Sequence, residues 1–444
     1  MSQKKPNEGL ARLLRETGWT YSSFAMAVNR AGTETGRPTR YDESAVKHWL
    51  DGTMPRKEAR GLILEVFSRR LSRPVTREET GFPRLQGEGT PLDTVEGLVD
   101  LGRQDMDPSR RSVPGAALFS VALTIPDWPD VVGRAEAFAA GQVTRIGRGE
   151  VEMVTQMTER VSELDDQFGG RHARPMAAAF LVNTVAGYLH AQAPDAVRKE
   201  MMSAAADLCY LTGYMAVDEG LHGLAQRYYL KALELAGAAD DHLTYCTTLR
   251  GMSVQVVDLG HGRHALRLAD AAAAASPHAG PRMRAFLAGQ QAHAAAQLGE
   301  RDSALLRMKE AEKAMDVAES QARAFGSYDP SSLMYHVAQV RHELGDAAGA
   351  VESMQESNRL RHSLYRRAKV RHLGLTAERQ FAIGHLEAAV GTWNEALDDY
   401  PMVQSGRCDD RMREMVSVLS PYSSNRQARA LLERATTVGV PVAA

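Results

Sequence analysis

The chain has 444 residues, with 44% hydrophobic and 24% charged side chains and a formal net charge of −2. That make-up excludes a disordered or fibrous protein and is long enough for two or three hydrophobic cores. The longest apolar stretch, "PGAALFSVALTIP" at 114–126, falls short of the roughly 20 residues that cross a bilayer, and "MSQKKPNEG" has no apolar run behind its lysines, so neither a span nor a secretion signal is expected and a cytoplasmic protein without membrane partners is.

The small net charge conceals an asymmetry. Residues 1–80 hold 15 Lys and Arg against 10 Asp and Glu, and the remainder 38 against 45. A polyanionic partner is therefore expected to meet the N-terminal part. Helical spacing there predicts a first helix over 8–17 with Leu10, Leu13 and Leu14 on one face and a stop at Gly18. A second runs over 21–30 and buries Phe24, Ala27 and Val28, followed by the loop "AGTETGRPTR". The stretch "DESAVKHWLDGTMPR" at 42–56 predicts a third, with Asp42 as N-cap, Val46 and Trp49 facing the core and Gly52 closing it. A fourth starts near Lys57 and carries Leu62, Ile63, Val66 and Phe67.

Asp42, Val46, Trp49, Gly52 and Pro55 give this segment a resemblance to the lambda-repressor-like, or Xre-type, helix-turn-helix family, whose recognition helix reads S-x-x-x-I-x-x-W-x-x-G with a proline soon after. The resemblance implies double-stranded DNA as partner. Glu43, Ser44, Lys47 and His48 would face the major groove, and Arg37, Arg40, Arg56 and Lys57 would hold phosphates at its rim. Two departures stand out: Glu43 replaces the family's frequent glutamine, and the turn before the third helix is longer than usual.

Residues 81–130 are turn-rich and predict a linker with at most a short helix over 92–101 and a brief extended piece near "VALTIPDWPDVVGR". From 131 to 444 the chain is periodic at helical spacing, and self-similarity organises it. The stretches "LGHGRHALRLADAA", "LGERDSALLRMKEA", "LGDAAGAVESMQES" and "IGHLEAAVGTWNEA" align on Gly260, Gly299, Gly345 and Gly384, each followed five residues later by Ala265, Ala304, Ala350 or Ala389; Gly220 and Ala225 make a fainter copy. A glycine C-cap followed by a small residue one turn into the next helix is the corner of a helical hairpin, and stacked hairpins form an α-solenoid with a concave groove. The pattern resembles the tetratricopeptide repeat, with a longer period. The expected fold is thus all-α, a helix-turn-helix head over 1–80 followed by a solenoid over 131–444 that dimerises and senses a signal.

The segment "LDDQFGGRHARP" at 164–175 is similar to one in actinobacterial, Streptomyces-type regulators that join an Xre-type head to a degenerate tetratricopeptide body, some of them negative regulators of development and antibiotic production. On its residues alone, Gly169 and Gly170 end a long helix, Pro175 opens the next, and His172 and Arg174 lie in an exposed turn where they could touch a ligand. Adjacent acids such as Asp165 and Asp166 are expected to be solvated caps. Cys209, Cys246 and Cys408 match no metal-ligand spacing, His261 and His264 lack further ligands, and no catalytic or phosphate-cradling motif occurs, so no enzyme, metal or cofactor is expected.

On the first helices of the repeats, Asn183, Tyr210, Tyr214, Arg250, Gln255, Gln290, Gln291, Tyr335, His336, Gln339 and Arg371 are expected to line the groove and bind a ligand. The chain thus reads as a dimeric repressor on a palindromic operator. By resemblance to peptide-sensing regulators, a signalling peptide or small diffusible molecule in the groove would relieve repression. The alternative is a repeat scaffold whose groove holds another regulatory protein.

Overall fold

The structure is a computed structural model and describes residues 6–35, 38–71, 73–82, 94–106, 119–120, 145–275, 279–318 and 328–440. It is all-α, as the periodicity predicts; among the described residues the only β pairing is an isolated bridge between Arg145 and Gln192.

The head consists of α1 (Glu8–Thr17), α2 (Tyr21–Glu34), α3 (Glu43–Leu50), α4 (Lys57–Leu71) and a single turn, α5 (Arg77–Thr80). Leu10, Leu13, Phe24, Val28, Val46, Ile63 and Phe67 are all fully buried, so one stripe from each longer helix meets in a common core. The second helix runs four residues past the expected end because Ala31 and Gly32 continue its buried stripe, whereas Ala27 is only half-buried.

Within the stretch read as a linker, α6 (Thr94–Met106) is packed into the body. Its Asp105 is buried against the guanidinium of Arg174 and accepts from the Tyr228 hydroxyl at 3.0 Å. The expected extended piece, residues 121–134, lies outside the described residues.

The body opens with α7 (Arg148–Phe168) and α8 (Gly170–Phe180), the latter running on through a π-helical turn at Leu181–Val185 and a last α turn at Ala186–Leu189. Six helical hairpins follow: α9 (Asp195–Asp218) with α10 (His222–Ala239), α11 (His242–Asp258) with α12 (Gly262–Ala275), α13 (Pro281–Gln297) with α14 (Arg301–Asp316), α15 (Pro330–Glu343) with α16 (Ala347–Leu360), α17 (Arg366–Ala382) with α18 (Leu386–Asp399), and α19 (Gly406–Leu419) with α20 (Arg426–Thr437).

The glycine signature maps onto the corners. Gly220, Gly260, Gly299, Gly345 and Gly384 all have φ between +74° and +88°, the left-handed region that a Cβ disfavours. The amide after each glycine reaches back to the carbonyl five residues earlier, as from His261 N to Val256 O at 3.0 Å. The five alanines that follow at fixed offset, from Ala225 to Ala389, are fully buried, which lets the two helices of each hairpin cross closely.

The superhelix then closes on itself. Arg367 at the start of α17 meets Asp165 at 3.0 Å, Asp166 at 3.2 Å and Asp218 at 3.6 Å. Ser405 donates to Asp218 at 2.8 Å, and Gln404 exchanges backbone bonds with Phe168 and Arg171 at 2.6 and 3.2 Å. Gly169, with φ +91°, lies so close that a Cβ there would run into the Gln404 carbonyl.

Three expectations are corrected at this point. Asp165 and Asp166 are clasp residues, with Asp165 buried, because the returning end of the body supplies their cation. Pro175 sits inside α8. Arg174 is fully buried between Asp105 and Glu219, while His172 is exposed.

Removing one partner of a buried ion pair leaves its counter-charges stranded. Arg367→Met strands Asp165 and Asp218 and is expected to cost about 3–5 kcal/mol, read as a fall in melting temperature together with a larger radius of gyration in small-angle scattering. An unchanged radius would show that the clasp does not hold the ends together.

Candidate functional site

Two surfaces gather the residues singled out by the sequence. The first is the outer face of α3. Asp42 caps the helix by accepting from Ala45 N at 2.9 Å, and at its far end Gly52, with φ +91°, lets Thr53 N reach His48 O at 2.9 Å. Val46 and Trp49 point inward, and Trp49 sets its ring edge-on to Tyr41 at 5.0 Å and to Phe24 at 6.4 Å.

With those two anchored, helical geometry turns Glu43, Ser44, Lys47 and His48 to solvent, and all four are exposed. Arg40, Arg56 and Lys57 are exposed beside them, while Arg37 lies outside the described residues. The long turn ahead of α3 is held by Asn29, whose Nδ2 donates to Tyr41 O at 2.8 Å while its Oδ1 accepts from Tyr41 N at 2.7 Å and Thr39 Oγ1 at 3.0 Å. Among the described residues no carboxylate pairs with Arg40, Lys47, Arg56 or Lys57. Arg69 and Arg73 of the same head are each tied to two glutamates.

The second surface is the inner face of the closed body, built from the first helix of each hairpin. Here Tyr210 accepts from Arg250 Nη2 at 2.7 Å, and Arg250 lies over the Phe286 ring at 3.6 Å. The Tyr214 ring lies beneath Arg367 at 5.4 Å and Arg407 at 5.7 Å. Arg371 and Arg407 reach Asp258 at 3.4 and 2.9 Å, and Tyr335 stacks on His372 at 4.4 Å. The Tyr328 hydroxyl lies 2.7 Å from His336 Nδ1, and Gln339 accepts from Arg379.

The structure thus brings Tyr210, Tyr214, Arg250, Tyr335, His336, Gln339 and Arg371 together. It does not bring in the remaining four. Asn183 is exposed on the π-helical turn. Gln255 donates to His222 O at 2.9 Å, Gln290 to Ser253 Oγ at 3.0 Å and Gln291 to Asp270 at 2.7 Å. These amides join neighbouring helices, because closure turned an expected open groove into an interior where polar groups must pair.

Arg361, Arg367, Arg379, Arg407, Asp258, His293 and His372 belong to the same cluster and were not anticipated. The signal available in the sequence was α17 itself, "RRAKVRHLGLTAERQFA", where Arg367 and Arg371 stand one turn apart on one stripe and His372 and Arg379 share the neighbouring one.

The field on this face is positive. Burial alone would push the Tyr214 phenol up, yet Arg367, Arg407 and Arg371 hold it below its ordinary value. Tyr210, Tyr229 and Tyr328 are raised by burial, as buried phenols are. Burial would also raise Asp258, but Arg407 and Arg371 keep its carboxyl low.

Burial pushes His293 down to about 4, with Asp258 opposing and Arg379 and Arg371 adding to the drop; His336 and His372 lie well below their usual range for the same leading reason. Burial pushes the Cys408 thiol up to about 12, an unreactive state. Among the described residues no cluster of three or more His, Cys, Asp or Glu is arranged to hold a metal ion.

A histidine whose folded pKa is depressed contributes stability above its unfolded value, near 6.5, and that stability is lost as the pH falls toward the folded value near 4. Between pH 7 and pH 4 the wild type is therefore expected to lose about 3 kcal/mol more than His293→Gln, measured as the difference in thermal stability at the two pH values. Parallel curves for the two proteins would place the titration elsewhere.

In comparison with known proteins, the SP15 N-terminal domain family matches residues 10–83, which are the head. No curated protein matches the chain.

Proposed function

We propose that this protein is a dimeric DNA-binding regulator, a repressor whose head reads operator DNA and whose closed repeat body receives a small diffusible signal. The carrying observation is the outer face of α3, where Glu43, Ser44, Lys47 and His48 are exposed above a core-anchored Val46 and Trp49, ringed by cations that no carboxylate of the described chain satisfies. Side chains on one helix face that fit the major groove, with arginine and lysine at its edge for phosphates, are what DNA reading requires. One short helix reads few base pairs, which favours two heads on a palindromic site.

The head and the body are joined by contacts that can carry a signal. Arg69 of α4 pairs with Glu34 at 2.6 Å and donates to Phe119 O at 3.1 Å. Phe119 stacks on His261, at the corner between α11 and α12, with ring centroids 5.8 Å apart, and the neighbouring Ser120 backbone makes two bonds to Gln226 at 2.7 and 2.8 Å. A change in the body that shifts this corner moves the head with it. The closed inner face supports a small ligand over a partner protein's extended strand, which needs an open groove.

Gel-shift titration against a genomic fragment library at two salt concentrations tests the reading, with salt-sensitive and sequence-selective binding as the expected outcome. Lys47→Ala and Arg56→Ala should each weaken binding by about 1–3 kcal/mol where they meet a base edge and less where they meet a phosphate. Binding that ignores sequence, or that neither substitution touches, overturns the reading.

A further inference from the structure

The inner face of the body buries more cation than its carboxylates neutralise. Arg367, Arg371 and Arg407 are answered by Asp165, Asp166, Asp218 and Asp258. Arg250, Arg361 and Arg379 have no carboxylate in ion-pair reach among the described residues and rest on neutral acceptors. For Arg250 this is the Tyr210 hydroxyl; for Arg361, Ser357 Oγ at 3.1 Å and His372 Nδ1 at 2.7 Å; for Arg379, the Gln339 amide oxygen and Ala338 O at 3.5 Å.

Arg250 is 5% exposed and Arg379 7%. Arg250 Nε, Arg361 Nε and Arg407 Nη1 have no hydrogen-bond partner among the described residues. Taking a guanidinium out of water without a counter-charge disfavours the folded state, so a cluster of this kind calls for an anion.

The groups also converge. Tyr335 and His372 stack nearly parallel, at 9°, with Arg361 Nη2 2.7 Å from His372 Nδ1 and the Arg371 guanidinium 5.9 Å from the Tyr335 ring. Burial depresses His372 first, and Arg361, Arg371, Arg379 and Arg367 all push it the same way, so four guanidinium groups act on one imidazole. Guanidinium forks match carboxylate and phosphate oxygens, and aromatic rings beside them cover a flat ligand body.

We propose that the inner face, between Arg361, Arg371 and Arg379 and beside the Tyr335–His372 stack, is a binding site for a small organic anion, a carboxylate or phosphate on a flat body. The inference rests on the body's being the sensing half of the regulator proposed above. A small ligand is specified because Arg379 and His372 are buried and Arg361, Arg371 and Tyr335 half-buried on the inner face, where a peptide chain has no open groove to lie in.

The test is calorimetric titration of the full-length protein with phenyl phosphate at constant ionic strength, together with thermal melts. Saturable binding is expected, with a rise of about 2–4 °C in melting temperature at a ligand concentration about 100 times the dissociation constant. Arg361→Gln and Arg379→Gln should weaken binding at least about tenfold. In anion-free buffer they should melt no lower than wild type, because each removes an uncompensated buried cation.

Variants that melt several degrees lower without anion, yet keep the ligand-induced rise, show structural arginines and overturn the site. Absence of binding by the wild type overturns it whatever the variants do. The double variant Lys47→Ala/Arg56→Ala should bind phenyl phosphate as wild type does, and loss of binding there assigns the anion to the head and also overturns the site. DNA binding is scored by gel shift without phenyl phosphate, so failure of the regulator reading and failure of the anion site are told apart.

Discussion

The interaction on which the body depends is the clasp of Arg367 with Asp165, Asp166 and Asp218. Repeat hairpins contact only their neighbours, so without a long-range tie an open solenoid keeps its concave face in water. Here the tie spans about 200 residues and turns that face into an interior. Burial and the nearby Asp218 outweigh Arg367 and push the Asp165 carboxyl up to about 7, so at the clasp the loss of water costs this carboxylate more than its cation returns. Polar groups on the first helices then pair largely within the ring, as in the chain of contacts from Arg250 through Tyr210 and Tyr214 to Arg407 and Asp258.

What the sequence made legible is what local chemistry determines. A helical corner needs a left-handed residue and a small neighbour, so Gly260, Gly299, Gly345 and Gly384 and their trailing alanines could be found by spacing alone. Val46 and Trp49 fell three residues apart on a short helix, and their burial fixed which side of α3 faces water.

The clasp was not legible, because the residues of "LDDQFGGRHARP" acquire their meaning only when residues 404–406 come back against them. Gly169 and Gly170 look like a helix end in isolation. In the fold they are where backbones approach too closely for a side chain, Gly169 against Gln404 and Gly170 against Met215. Asp105 in α6 was hidden for a similar reason, its partner Arg174 lying 69 residues away in a segment whose polar residues suggested a surface turn. The aromatic and cationic residues expected in the groove meet on the inner face, whereas Gln255, Gln290 and Gln291 bridge helices, since an amide that can bind a ligand can equally join two helices, and spacing does not distinguish the two.

Charge on the inner face links the body's stability to its occupancy. Arg250, Arg361 and Arg379 rest on neutral acceptors without a carboxylate in ion-pair reach among the described residues, and an anion bound there would stabilise the closed ring by an amount set by its concentration relative to its dissociation constant. Arg371 and Arg407 share Asp258 at the end of α11, one residue before the corner that ends at His261, and Phe119 carries that corner to Arg69 of the head. Anion site, corner and head therefore lie along one continuous set of contacts, the physical requirement for a ligand to bias two arrangements of the same molecule.

Glu43 raises the remaining question on the head, since a carboxylate on the face proposed to read DNA would repel phosphate. Its position offers a reason that has nothing to do with bases. It is the first residue of α3, directly after the capping Asp42, where the helix N-terminus carries partial positive charge and favours acids. Lys47 lies one turn further along the same face, and His48, in the last turn, sits over the Ser44 carbonyl at 2.7 Å. Within α3 the one acid is Glu43 in the first turn; past the C-capping Asp51, exposed cations follow at Arg56 and Lys57. If the N-terminal turn points into the groove, the carboxylate can accept from an exocyclic amino group, cytosine N4 being the common partner for an acid, so Glu43 would act as a selector at one base pair while the rest of the face supplies attraction.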